Sequence, residues 1–227
     1  MSSEFLEYAP APESRAIVKI EKEYGLFING KFVAANSAKK FATINPATEE
    51  KLALISQADQ RDVDRAVKSA RTAFTKSWSK LSGKERGKYL FRIARLLQER
   101  SREFAVLESL DNGKPIRESR DVDIPLAAAH FFYHAGWADK LQYAGLGSNP
   151  KPHGVVAQVI PWNFPLLMLA WKIAPALAAG NTVVIKPAET TPLTALSFAD
   201  ICRQAELPDR KSTRLNSSHS SVSRMPS

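Results

Sequence analysis

The apolar positions change period twice along the chain. Near the start, Leu26-Phe27-Ile28 and Lys31-Phe32-Val33 are two short β-prone runs across Asn29-Gly30. Both turn residues tolerate positive φ, which predicts a hairpin. Asn45-Pro46-Ala47-Thr48 predicts a turn, and Leu52 to Ile55 a strand. From Asp62 the period becomes helical: Val63, Ala66, Val67, Ala70, Ala73, Phe74 and Trp78 share a face, with Asp59 or Asp62 as N-cap. A second amphipathic helix is expected from about Gly83 to Ser109, with Leu90, Ile93, Leu97, Phe104 and Leu107 on one face. A third is expected from Ser119 to Lys140, with Pro125 near its first turns. The signature then changes again. Val155 to Ile160 and Asn181 to Ile185 are short, nearly all-apolar runs, the mark of strands buried on both faces of a parallel sheet. Helix-length Phe164 to Ala179 separates them and Pro192 to Ala205 follows. Strand, helix, strand, helix predicts an α/β fold, the first half of a doubly wound, Rossmann-like nucleotide domain.

Composition narrows the class. The 227 residues are 44% apolar and 24% charged, as in a globular domain. The longest apolar stretch, Phe164 to Gly180, is broken by Pro165, Lys172 and Pro175, so no membrane span is expected. A single cysteine, Cys202, excludes an intrachain disulfide framework and any multi-thiolate metal site. Residues 1–20 carry Glu4, Glu7 and Glu13 and lack the apolar core of a secretory signal, so the expected location is cytoplasmic. The net charge of +9 includes Arg210, Lys211, Arg214 and Arg224; removing these four leaves +5 for residues 1–209. The remaining bases are interleaved with acids rather than with stacking aromatics, so no nucleic-acid partner is expected. Residues 1–23 are expected to be a poorly ordered arm, and 209–227, rich in serine and without acids after Asp209, a non-native-looking tail.

Two motifs carry candidate chemistry. Pro161-Trp162-Asn163-Phe164-Pro165 lies where the first buried strand ends, at the carboxyl edge where open α/β sheets bind ligands. An asparagine amide held there can donate to a developing oxyanion without bringing a charge; the alternative is a capping Asn before a helix-initiating Pro. Lys186-Pro187-Ala188-Glu189 ends the second strand. Its ammonium and carboxylate can grip the vicinal hydroxyls of a ribose, an acid there favouring NAD over NADP; the alternative is a surface ion pair. His130 and His134 stand four apart among aromatics without a third ligand, which reads as packing rather than metal binding. Gly145-Leu146-Gly147 precedes a strand and lacks the third glycine of a dinucleotide fingerprint.

The passage IPWNFPLLMLAWKIAPALAAGNTVVIKPAETTPLTA, Ile160 to Ala195, strongly resembles the aldehyde dehydrogenase superfamily. FINGKFV at 27–33, INPATEE at 44–50, DVDRAVKSARTAF at 62–74, SLDNGKP at 109–115 and FFYHAGWADK at 131–140 agree in order, so the resemblance covers roughly Tyr24 to Pro208. It implies an oxidoreductase that converts aldehydes to carboxylic acids with NAD as cofactor, NADP being admissible. By motif match Asn163 is the oxyanion donor; Ile160, Pro161, Trp162 and Asn163 line the cofactor; Lys186 and Glu189 hold the adenosine ribose. The family's glycine-rich pyrophosphate turn, general-base Glu, nucleophilic Cys and catalytic domain lie beyond the matched stretch. The chain is therefore expected to be an N-terminal part with an incomplete cofactor-binding domain, inactive by itself. Cys202 and Glu206 belong to a helix and its end, and neither is matched to a catalytic role. The family's homo-oligomer is not carried over, because Leu141 to His153 is short where many members contribute an oligomerisation flap. A second reading is a non-catalytic nucleotide-binding or interaction scaffold on the same fold.

Overall fold

Asn29 and Gly30 sit at φ 56° and 75°, and around them β2 (Leu26–Ile28) pairs antiparallel with β3 (Lys31–Val33). This computed structural model describes residues 14–145, 147 and 149–208; the expected tail at 209–227 and the first thirteen residues of the expected arm lie outside them. Within the rest of that arm, Arg15–Ile17 form a 3-10 turn, and Val18 and Ile20 pack against a small apolar core of Leu52, Ala53, Ile55, Leu107 and Leu193. β1 (Glu23–Tyr24) runs parallel to β5 (Lys51–Ser56), whose other edge takes β4 (Lys40–Ile44) antiparallel. β4 opens with Lys40, preceded by Lys39, and shows no alternation strong enough to stand out in the sequence; pairing makes it a strand.

α1 (Gln60–Lys76) begins with a reciprocal capping box, in which Asp59 accepts from the Asp62 N–H and Asp62 from the Asp59 N–H. The single helix expected over 83–109 is two: α2 (Gly83–Glu99) and α3 (Ser101–Asn112). Arg100 leaves helical geometry at φ −100°, ψ 19°, and its guanidinium is gripped by Glu103 and by Asp200 at 3.2 Å. The third helix starts earlier than expected, as α4 (Ile116–Glu118), passes through a π turn at Ser119–Asp123, and continues as α5 (Ile124–Trp137). Pro125 has no N–H to give the carbonyl four residues back, and the widened turn absorbs that: the Ile124 N–H reaches Ser119, five back.

The last segment is β6 (Val155–Val159), α6 (Pro165–Ala178), β7 (Thr182–Lys186) and α7 (Leu193–Gln204), with β6 and β7 parallel. This is the strand–helix–strand–helix start of an α/β doubly wound domain. Asn181 pins its base: its Oδ1 accepts from the Gly154 N–H at 3.0 Å, and its Nδ2 donates to Ala176 in the last turn of α6. β6 departs from the expectation of burial on both faces. Gln158 is buried and donates to the Lys172 carbonyl of α6 at 2.8 Å, while Ala157 and Val159 on the other face are exposed. The cause is coverage: α6 lies over one face only, and among the described residues β7 is the only strand beside β6. The main core joins α2, α3, α5, α6 and α7 through Leu90, Leu97, Phe104, Phe131, Leu169 and Ile201. No helix among the described residues is long and apolar enough to cross a membrane.

Candidate functional site

The parallel register places Val159 opposite Lys186, and the Ile160 N–H donates to the Lys186 carbonyl at 3.0 Å. Both candidate motifs therefore leave the same end of the sheet from adjacent strands, which is the edge where such folds take nucleotides. Ile160 is buried and anchors the turn. Pro161 is half-buried, and Trp162, Asn163 and Phe164 are exposed, Trp162 at 64%. The Asn163 amide has no hydrogen-bond partner among the described residues. It caps nothing: α6 is preceded by Phe164, with no side-chain cap of its own. The capping alternative for Asn163 therefore has no bond behind it.

Lys186 Nζ donates to Glu189 Oε1, both side chains being more than half exposed. That bond holds the Glu189 carboxyl below the usual carboxylate range, so near neutrality it is an anion and accepts hydrogen bonds. An exposed donor and acceptor this close match the two neighbouring hydroxyls of a ribose, each of which can give and take a hydrogen bond. Trp162, after the adjacent strand end, is an exposed aromatic.

Beneath this edge lies a set of buried charges that periodicity did not reveal. On α3, Glu108 and Asp111 stand one turn apart and are almost fully buried. Glu108 Oε2 accepts from the Leu166 N–H at 3.2 Å, and Asp111 Oδ2 accepts from the Leu193 N–H at 2.8 Å. The first turns of α6 and α7, neither with a cap from its own segment, are thus capped from the same neighbouring helix. Asp111 Oδ1 also takes the Thr43 hydroxyl at 2.6 Å, tying β4 to the platform. Burial pushes the Asp111 carboxyl up to about 6 against the pull of those two donors. Burial, opposed by Lys114, pushes Glu108 up to about 7. Lys114 Nζ is bonded to Asp123 and lies 3.7 Å from Glu108 Oε1. No sequence signal marks this platform: Glu108, Asp111, Lys114 and Asp123 stand in a polar stretch that Gly113 and Pro115 interrupt.

His130 stacks on Trp171 with centroids 5.7 Å apart, and His134 Nδ1 bonds the His130 carbonyl. No cluster of three or more metal-binding side chains occurs among the described residues. Cys202 lies against the main core, and loss of hydration pushes its thiol up to about 12, which leaves almost no thiolate at neutral pH.

The aldehyde dehydrogenase family model matches residues 32–224. The chain is 47% identical over 192 residues to mitochondrial aldehyde dehydrogenase family 2 member B4 of Arabidopsis thaliana, covering 81% of this chain and 36% of that protein. It is 45% identical over 199 residues to an aldehyde dehydrogenase of Aspergillus niger, covering 84% and 40%. The NAD+ complex of the Bacillus cereus aldehyde dehydrogenase superposes with a TM-score of 0.78 at 42% identity, over 84% of this chain and 40% of that one. The chain thus spans about 40% of the length of the relatives it matches. With the family model, sequence identity and fold in agreement across most of its length, the chain belongs to the aldehyde dehydrogenase family.

Proposed function

We propose that these 227 residues form the N-terminal, cofactor-side part of an NAD-dependent aldehyde dehydrogenase that oxidises aldehydes to carboxylic acids. The observation that carries this reading is the Ile160 to Lys186 backbone bond, which brings Pro161-Trp162-Asn163 and Lys186/Glu189 to one sheet edge. Lys186 and Glu189 would hold the adenosine ribose, with Ile160, Pro161 and Trp162 forming the wall beside it. NAD+, when bound, supplies the hydride acceptor. The carboxylate of Glu189 makes NAD the better fit than NADP, since a 2′-phosphate would meet a like charge.

Asn163 has the chemistry of an oxyanion donor. When a nucleophile adds to an aldehyde carbonyl, negative charge collects on the oxygen, and a fixed neutral N–H stabilises it without having to reorganise. The amide is free to do this because no group of the described chain occupies it. Cys202 is not assigned as the nucleophile: it lies on α7 against the main core, where burial pushes its thiol up.

The test is direct. Purified chain titrated with NAD+ in a calorimeter is expected to bind it, and Glu189→Ala to weaken the binding. Incubated with NAD+ and a panel of aldehydes, the 227 residues are expected to give no reduced-cofactor absorbance. Enzyme-concentration-dependent turnover abolished by Asn163→Ala would overturn the second expectation. The same reading keeps the cytoplasm as the location; the Arabidopsis relative is named as mitochondrial, and cell fractionation decides between them.

A further inference from the structure

We propose that Asn112 is a positioning residue for Asn163, acting with Lys114 as a two-point brace on the turn that carries the oxyanion amide. α3 ends at Gly113, whose φ of 79° gives the left-handed C-cap, and a Cβ there would lie 2.6 Å from Pro46. The reversal sends the next residues back over the Trp162–Phe164 turn. Asn112 Nδ2 donates to the Trp162 carbonyl at 2.5 Å. Lys114 Nζ stands over the Phe164 ring, 4.1 Å from its centroid. The residues immediately before and after Asn163 are therefore each held by the same short segment, while the Asn163 side chain has no hydrogen-bond partner among the described residues. Glu108 adds a third point two residues beyond Phe164, at the Leu166 N–H.

The ammonium keeps its place because Asp123 and Glu108 grip it from below. The brace matters because an exposed turn is otherwise free to move on its own. A donor amide works only when it already points at the oxygen that will carry the charge. A bond to the Trp162 carbonyl on one side of Asn163 and an ammonium over the Phe164 ring on the other restrain the turn without using the Asn163 side chain. This inference rests on the proposed role of Asn163 and of the sheet edge in cofactor binding.

The experiment compares wild type with Asn112→Ala and Asn112→Asp. The Asp variant keeps the shape but loses the donor. Each chain is measured for backbone amide exchange at residues 162, 163, 164 and 166, acrylamide quenching of Trp162 with Trp162→Phe as the blank, NAD+ affinity and melting temperature. Both variants are expected to speed exchange in the turn about three- to tenfold, the worth of one net hydrogen bond. They are expected to raise Trp162 quenching and weaken NAD+ binding by a similar factor while melting moves little. Unchanged exchange and quenching in both variants would overturn the brace. So would an Asp variant indistinguishable from wild type beside a perturbed Ala variant, since shape alone would then suffice. If wild type itself binds no NAD+, the cofactor reading fails, and exchange and quenching still decide the brace.

Discussion

The exposed sheet edge and the buried platform under it differ in what they would do in the proposed site. At the edge, Asn163, Lys186 and Glu189 are exposed, and Asn163 has no partner among the described residues. In the platform, Glu108, Asp111 and Asp123 have almost no solvent contact, and the helix starts at Leu166 and Leu193 depend on the first two. Groups offered to a ligand contribute little to folding, whereas groups that aim them contribute much. Substitutions in the two regions should therefore separate cleanly into binding effects and stability effects.

The largest effect is expected from Lys114→Met. Removing the ammonium leaves Asp123 and Glu108 facing one another without compensation, and breaking a buried pair this way costs about 3–5 kcal/mol. Urea denaturation at pH 7.5 measures it. The loss should shrink at pH 5.5, where Glu108 is protonated; a loss independent of pH would show that the charge cluster is not what the lysine holds.

Next is the pH dependence of the platform itself. Glu108 and Asp111 titrate in the folded chain near 7 and 6, above their ordinary values of 4.5 and 3.8. The folded state thus holds protons that the unfolded state has released between pH 4 and 7. Their contribution to stability is fully present below the unfolded values and is lost as pH rises through 6 and 7. His130 opposes this over part of the range, because burial lowers its value and acidification charges it more readily in the unfolded chain. Melting from pH 5 to 8 is expected to fall toward the alkaline side, and Glu108→Gln with Asp111→Asn to flatten the slope. A slope unchanged in the double variant would contradict the assignment.

Much of this contrast was legible in the sequence, though unevenly. Asn29-Gly30 tolerates the positive φ that a tight turn requires, so the hairpin was readable. The β6–α6–β7–α7 order and the placement of both motifs at strand ends followed from period changes. The split at Arg100 was not readable, because the apolar face continues across it and only long-range pairing to Asp200 reveals the break. Nor was the openness of one face of β6, since an all-apolar run does not say how many neighbours cover it. The platform stayed hidden for another reason. Glu108 and Asp111 look like the solvated face of a helix until their partners, 58 and 82 residues away, are known.

At the edge the expected effects are smaller and fall on binding. Glu189→Gln removes the charge but not the shape, and is expected to weaken NAD+ binding about tenfold, near 1.4 kcal/mol, with melting unchanged. Calorimetry and a thermal scan on the same sample check both halves. Asn163→Ala is expected to leave stability within about 0.5 kcal/mol of wild type, since it breaks no hydrogen bond within the described residues. A larger loss would move Asn163 from the edge into the platform.

The central claim is that the carboxyl ends of β6 and β7 together form a nucleotide-binding edge. Titrating NAD+ into isotopically labelled chain and mapping the perturbed backbone amides tests it most directly. The account predicts saturable shifts centred on residues 160–164 and 186–189, abolished together by Lys186→Ala/Glu189→Ala. Shifts centred elsewhere, or the same shifts surviving in the double variant, would contradict it.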